Sequence, residues 1–211
     1  MNAMKRYNSA VIFVVLACGL VGAFAMKKSK AEMNVPPADE MHCSEGWRIT
    51  GYFTPVETDY MSEDKTEVDV EGYGTESFDS EFVRTVFDED KGWGEGWGKT
   101  RFGWYLGNYN GRWHKSDAPL DANNSALLEN SVAVDNALIP NDSKVTIPGL
   151  PDEYGKREFV SNDVGVTVHG KHIDVYTGEG KQAEEEMYRV TFEDDNNLQE
   201  VCFQPPDKNK Q

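Results

Sequence analysis

The chain has 211 residues, with 38% hydrophobic and 27% charged side chains, and its 21 basic against 37 acidic residues give a formal charge of −16. That length suits one ordinary domain with tails, and the apolar share permits a packed core. The acidic balance excludes nucleic acid held by phosphate neutralisation and docking on an anionic lipid surface.

Lys5 and Arg6 precede an apolar run over 10–25 that closes on Ala23-Phe24-Ala25. A basic start, a greasy stretch and small residues at alternate positions mark a secretory signal. Residues 1–25 are therefore predicted to direct export to the periplasm or cell envelope. An uncleaved anchor, or a lipidation site at Val15-Leu16-Ala17-Cys18, is an alternative reading that would add N-terminal membrane association. Losing 1–25 removes two cations and no acid, so the charge becomes −16 − 2 = −18. Residues 26–42, with Pro36-Pro37, read as a linker, 43–203 as the folded domain and 204–211 as a polar tail. Cys43 and Cys202 then stand near the two ends of the domain. In an oxidising compartment they are expected to form a disulfide clamping the first strand to the last, the alternative being two free thiols. No cysteine spacing suggests a zinc site, and no metal is expected.

Short apolar runs predict strands at 47–54, 66–72, 131–134, 144–147, 158–161, 166–168, 172–176, 188–192 and 198–203. Helices are predicted over 77–87, where Phe78, Phe82, Val83, Val86 and Phe87 share a face, and over 181–187 after the Gly178-Glu179-Gly180 turn. The result is mainly β: a small barrel with a short helical, Trp/Gly-rich insertion at about 56–130. Within that insertion Trp93, Trp97, Trp104, Tyr105, Tyr109 and Trp113 are interleaved with glycines. They read as a loop packed on its own aromatics, as a wall for stacking on sugar rings, or as both, with Trp104 taken as a substrate contact.

Three segments carry aspartates in order: Val134-Asp135 leading to Ile139-Pro140, Asn162-Asp163-Val164-Gly165, and Ile173-Asp174-Val175-Tyr176. Upstream stands Ile49-Thr50-Gly51-Tyr52-Phe53-Thr54-Pro55. Together these resemble the three-aspartate (3D) domain of bacterial murein-cleaving enzymes, the catalytic domain of the membrane-bound lytic transglycosylase A family, over 47–56 and 131–192. The resemblance implies a six-stranded double-psi β-barrel. It implies Asp174 as the single catalytic acid, Asp163 and Asp135 as the aspartates that line and brace the site, and Tyr52 and Thr54 as groove residues. Gly165 and His169 fall in the stretch that meets substrate. His169 stands where the family usually has lysine in Gly-Ala-Ile-Lys-Gly, so this contact differs here. The second domain of larger family members has no evident room in 56–130.

A glycosidic oxygen must be protonated as it departs, and a solvated aspartate, ordinarily near 3.9, is ionised at neutral pH. Burial or a neighbouring carboxylate raises that value. In a strand, Ile173 and Val175 would point away from Asp174, leaving Asp174 to face the groove. Asp163 and Asp135 are expected to add negative charge and to share protons with it. His114, His169 and His172 read as surface or groove-edge positions. The implied reaction is lytic cleavage of the β-1,4 bond between N-acetylmuramic acid and N-acetylglucosamine in peptidoglycan. It leaves a 1,6-anhydro end, uses no cofactor, and is carried out by a monomer. A glycoside hydrolase on the same barrel and a non-catalytic, expansin-like glycan-binding module are the rival readings.

Overall fold

A computed structural model describes residues 40–192 and 197–207. The predicted signal at 1–25, nearly all of the 26–42 linker and the last four residues of the tail lie outside the described residues. The strands are β1 (His42–Thr54), β2 (Lys65–Val70), β3 (Gly74–Asp79), β4 (Trp97–Lys99), β5 (Tyr105–Tyr109), β6 (Arg112–Ser116), β7 (Ser131–Val134), β8 (Lys144–Thr146), β9 (Phe159–Asp163), β10 (His172–Glu179) and β11 (Gln199–Gln204). The α-helices are α1 (Ser80–Val86) and α2 (Gly180–Val190). No helix among the described residues is long and apolar enough to cross a membrane.

Six strands close into a barrel in the order β1-β10-β7-β9-β8-β11. Two of its pairings are parallel, β1 with β10 and β7 with β9. Alternation along each strand sends Trp47, Ile49, Val132, Val134, Phe159, Ile173, Val175 and Val201 into one aliphatic core. Cys43 stands opposite Cys202 across the β1–β11 pair, and the two form a disulfide. Helix α2 lies flush on β1, where a Cβ on Gly51 would come within 2.6 Å of Val190 and 3.0 Å of the Met187 backbone.

Several sequence expectations need correction. The 188–192 stretch is the last turn of α2 and its exit, because Ala183 and Val190 line one helical face against the barrel. There Thr191 Oγ1 accepts the Gly51 N–H at 2.9 Å, and the Phe192 N–H donates to the Ile49 carbonyl at 3.0 Å, so the helix end covers an edge of β1. Residues 166–168 form a turn closed by the Val168 N–H on the Gly165 carbonyl at 3.0 Å. The insertion is mainly sheet, not helix: five strands in the order β3-β2-β6-β5-β4, with α1 against them. Its core holds Val68, Val70, Phe78, Phe82, Val83, Val86, Trp104 and Leu106, so 56–130 does have room for a second apolar centre. Helix α1 is shorter than the 77–87 expected, since β3 runs through Asp79, whose carboxylate accepts the Glu81 and Phe82 N–H groups and starts the helix.

Candidate functional site

Parallel pairing of β1 with β10 sets Thr50 beside Asp174 and Tyr52 beside Tyr176. On the other side of β10, Asp174 stands opposite Ala133 of β7, and Ala133 in turn is the partner of Asp163 on β9. Thr50, Asp174, Ala133 and Asp163 thus form one row across four strands, on the face turned away from the aliphatic core. Ile173 and Val175, on the opposite face, are fully buried. Ala133, which stands between the two aspartates in the row, is buried.

The row is hydrogen-bonded along its length. Thr50 Oγ1 lies 2.8 Å from Asp174 Oδ1 and 2.8 Å from His172 Nε2. Tyr52 donates its hydroxyl to Asp163 Oδ2 at 2.7 Å, its ring lies 5.2 Å from that of Tyr176, and the Tyr176 hydroxyl meets Thr54 Oγ1 at 2.8 Å. Burial pushes the Asp174 carboxyl up to about 6; the Asp163 charge adds to the rise, while the Thr50 hydroxyl and Arg48 oppose it. Burial also raises Asp163, against the hydrogen bonds from Tyr52 and from the Val164 and Ala122 N–H groups. Tyr52 is pushed well above its ordinary value by burial and then by Asp163, and burial takes Tyr176 to about 12, so both phenols remain donors.

Asp135 departs from expectation. Its carboxylate accepts the Gly170 N–H at 2.8 Å and the Ala137 N–H at 2.9 Å, and these bonds, joined by His169, hold it below the usual carboxylate range. It braces the left-handed Gly170 turn that leads into β10 and does not load charge onto Asp174. Gly165 provides close packing, since a Cβ there would meet Val168 at 2.6 Å. His169 is exposed in the loop before β10. Trp104 is not brought to the aspartates: it is 7% exposed in the second core, edge-on to Phe78 and stacked with Phe102. Of the interleaved aromatics, Trp104 lies in that core with Trp113 against it, while Trp97 packs on Tyr109 and Trp93 is exposed.

Two functional groups carried no sequence signal that singled them out. His172, read as a surface position, is buried beside Thr50. Its place two residues before Asp174 on one strand puts both on the same face. Glu95, between Gly94 and Gly96 of the insertion, reaches across to accept the Phe53 N–H at 3.0 Å. Burial pushes Glu95 up to about 8, with Asp174 and Glu184 adding to the rise. The insertion further meets the barrel through Glu179 of β10, which accepts from Tyr105 at 2.6 Å and from Lys99 at 3.0 Å. Among the described residues, the grouping with metal-ligand spacing is Cys43, Glu200 and Cys202, whose two sulfurs are already joined to each other.

Residues 130–191 match the family model of the 3D domain. The fold is similar to that of Escherichia coli MltA with bound chitohexaose, at 16% identity and a TM-score of 0.52, over 76% of this chain and 72% of that one. MltA from Neisseria gonorrhoeae aligns at 12% identity and a TM-score of 0.46, over 80% and 73% of the two chains. The lytic transglycosylase LtgG of Burkholderia pseudomallei aligns at 15% and 0.40, over 77% and 71%. No curated protein matches the sequence.

Proposed function

We propose that this chain, which carries a 3D domain on an MltA-like barrel, is a lytic transglycosylase of the cell envelope that cuts peptidoglycan glycan strands. The observation that carries this reading is Asp174, a carboxyl that burial and the Asp163 charge raise to about 6, with no cation bonded to it among the described residues. Such a group is protonated in a useful fraction of molecules and gives up its proton readily, which is what a leaving sugar oxygen needs. In this reading Asp174 protonates the bond between N-acetylmuramic acid and N-acetylglucosamine as it breaks. The resulting carboxylate then takes the proton of the muramyl C6 hydroxyl as that oxygen closes on C1, leaving a 1,6-anhydro end. Asp163, anchored by Tyr52, supplies negative charge beside the oxocarbenium-like centre. Tyr52, Tyr176 and Thr54 line the approach, and Asp135 holds the turn that positions β10. The Cys43–Cys202 disulfide supports an oxidising location outside the cytoplasm.

Glu95 favours a second reading. A second carboxyl beside the row is what a hydrolase needs to activate water. Mass spectrometry of fragments released from purified sacculi separates the two, since anhydro-muramyl ends mean lytic cleavage and new reducing ends mean hydrolysis. Asp174→Asn is expected to lower release by about 100- to 10,000-fold while leaving the melting temperature within a few degrees. Wild-type protein that binds sacculi and releases nothing sinks both enzymatic readings.

A further inference from the structure

The row around Asp174 contains a titratable group that the reaction above leaves idle. His172 is buried on the same face of β10, and its Nε2 shares the Thr50 hydroxyl with Asp174, both at 2.8 Å. Its other nitrogen, Nδ1, lies 3.3 Å from the Thr167 carbonyl oxygen. Counting hydrogens fixes the direction of each bond. A carbonyl only accepts, so Nδ1 carries the hydrogen. In a neutral imidazole Nε2 is then a bare lone pair, and the single Thr50 hydroxyl hydrogen turns to it. In that arrangement Thr50 has no hydrogen left for Asp174, and the 2.8 Å contact, in which the hydroxyl donates whenever it turns to the carboxylate, becomes a hydrogen bond by taking the carboxyl proton.

With Asp174 ionised and His172 neutral, one contact in the chain sets lone pair against lone pair. The other complete arrangement moves a proton to Nε2, so that an imidazolium donates to Thr50 and Thr50 to the carboxylate. The surroundings select the neutral ring. Burial, Arg48 across the pair on β1 and His169 in the preceding loop all disfavour a charged imidazole, against the Thr167 carbonyl, which favours it. Around Asp174, burial and then the Asp163 carboxylate favour the protonated acid, whereas the Thr50 hydroxyl, whenever its hydrogen turns to the carboxylate, and Arg48 favour the ionised one.

We infer, resting on the reading of Asp174 as the acid, that His172 is a positioning residue which works through Thr50 to reserve an acceptor for the Asp174 proton and so holds the carboxyl in its donating form. When that proton passes to the leaving-group oxygen, the Thr50 hydroxyl swings to the new carboxylate and Nε2 loses its donor. The proton arriving from the C6 hydroxyl restores the chain, so the enzyme ends with the protons it began with. His172 thereby favours the second half of the cycle as well as the first.

NMR on the intact protein tests this without relying on turnover. Nitrogen shifts of His172 at pH 7–8 are expected to show the neutral Nδ1–H tautomer; an Nε2–H tautomer or an imidazolium overturns the inference. Carboxyl-carbon titration of His172→Phe is expected to show the Asp174 midpoint lower by about one pH unit, because Thr50 is then free to donate to the carboxylate. In a Thr50→Val background the same change is expected to have little effect, since the path is already cut. An Asp174 midpoint unmoved in folded His172→Phe overturns the inference; should that variant not fold, the wild-type tautomer decides. In sacculus digestion, the upper pH limit of release should move acidward by the same interval, whereas loss of packing alone would lower the rate equally at every pH. Wild-type protein with the expected tautomer that releases no fragments sinks the transglycosylase reading and leaves the relay standing.

Discussion

The two apolar centres treat buried acids in opposite ways. In the second sheet, Glu57 pairs with the Arg101 guanidinium and accepts the N–H groups of Arg101 and Asp79 at 2.9 and 3.2 Å. Burial alone would raise Asp79, but the Phe82 and Glu81 N–H groups and Lys65 outweigh it and hold its carboxyl below the ordinary value. On the barrel, Asp174, Asp163 and Glu95 are enclosed without a bonded cation, and all three are raised. One residue class is neutralised in the second sheet and left uncompensated on the barrel face where Asp174 is proposed to hand on its proton. The contrast marks the working face of the molecule more sharply than the aromatic content of the insertion does.

The barrel needs a reserve to carry uncompensated acids, and its clamp is one source. The Cys43–Cys202 bridge closes a 159-residue separation, and replacing both cysteines with serine should cost about 3 kcal/mol in denaturant unfolding. Free thiols in freshly purified protein would contradict it. On the other side of the contrast, Arg101→Met strands Glu57. Because the Arg101 side chain is 39% exposed, the loss should sit below that of a fully buried pair, at about 2 kcal/mol. A change under a few tenths would erase the distinction between the two centres. The smallest effect is expected at Glu95. Its folded value of about 8 stands above the ordinary 4.5, so its contribution to stability is complete below about pH 4.5 and is lost as pH rises through 8. Glu95→Gln keeps an acceptor for Phe53 and should raise the melting temperature at pH 9 by roughly 3 °C, with no gain at pH 4. Calorimetry across that range would expose a flat difference, which would mean that Glu95 is not held neutral.

The barrel was readable because its strands alternate cleanly and its aspartates sit in local motifs. Ile173 and Val175 flank Asp174 in the sequence, and in the fold they point into the core. The second sheet was harder to read, although one signal was present. Asn110-Gly111, with φ of 53° and 71°, forms the two-residue turn between β5 and β6, a pairing of residue types suited to that geometry. The density of tryptophan and glycine around it read as a self-packed loop instead. Gly98 and Gly107 in fact make way for Phe82 and Trp97, whose atoms a Cβ would meet within 2.6 Å. Helix α2 was foreseen over 181–187, but its last turn hid behind Tyr188, Val190 and Phe192, which suit a strand by type while Ala183, Met187 and Val190 keep helical spacing. The contacts of Glu95 with Phe53 and of His172 with Thr50 were out of reach for another reason: they span 42 and 122 positions along the chain, and nothing local announces them. The ionised, bracing state of Asp135 depends on the Gly170 N–H, which only the folded loop presents.

Closure of the barrel has a consequence for how such a site can diversify. With every strand of the ring bonded on both sides, β10 has no free edge along which to slide. A one-place shift would also exchange Asp174 with an aliphatic neighbour and turn the acid inward. The spacing of Thr50, Asp174 and Asp163 is therefore ruled by the ring and inherited as a unit. Variation has to be written in the segments that rise from its rim, chiefly the five-stranded insertion that delivers Glu95, Lys99 and Tyr105 to the barrel.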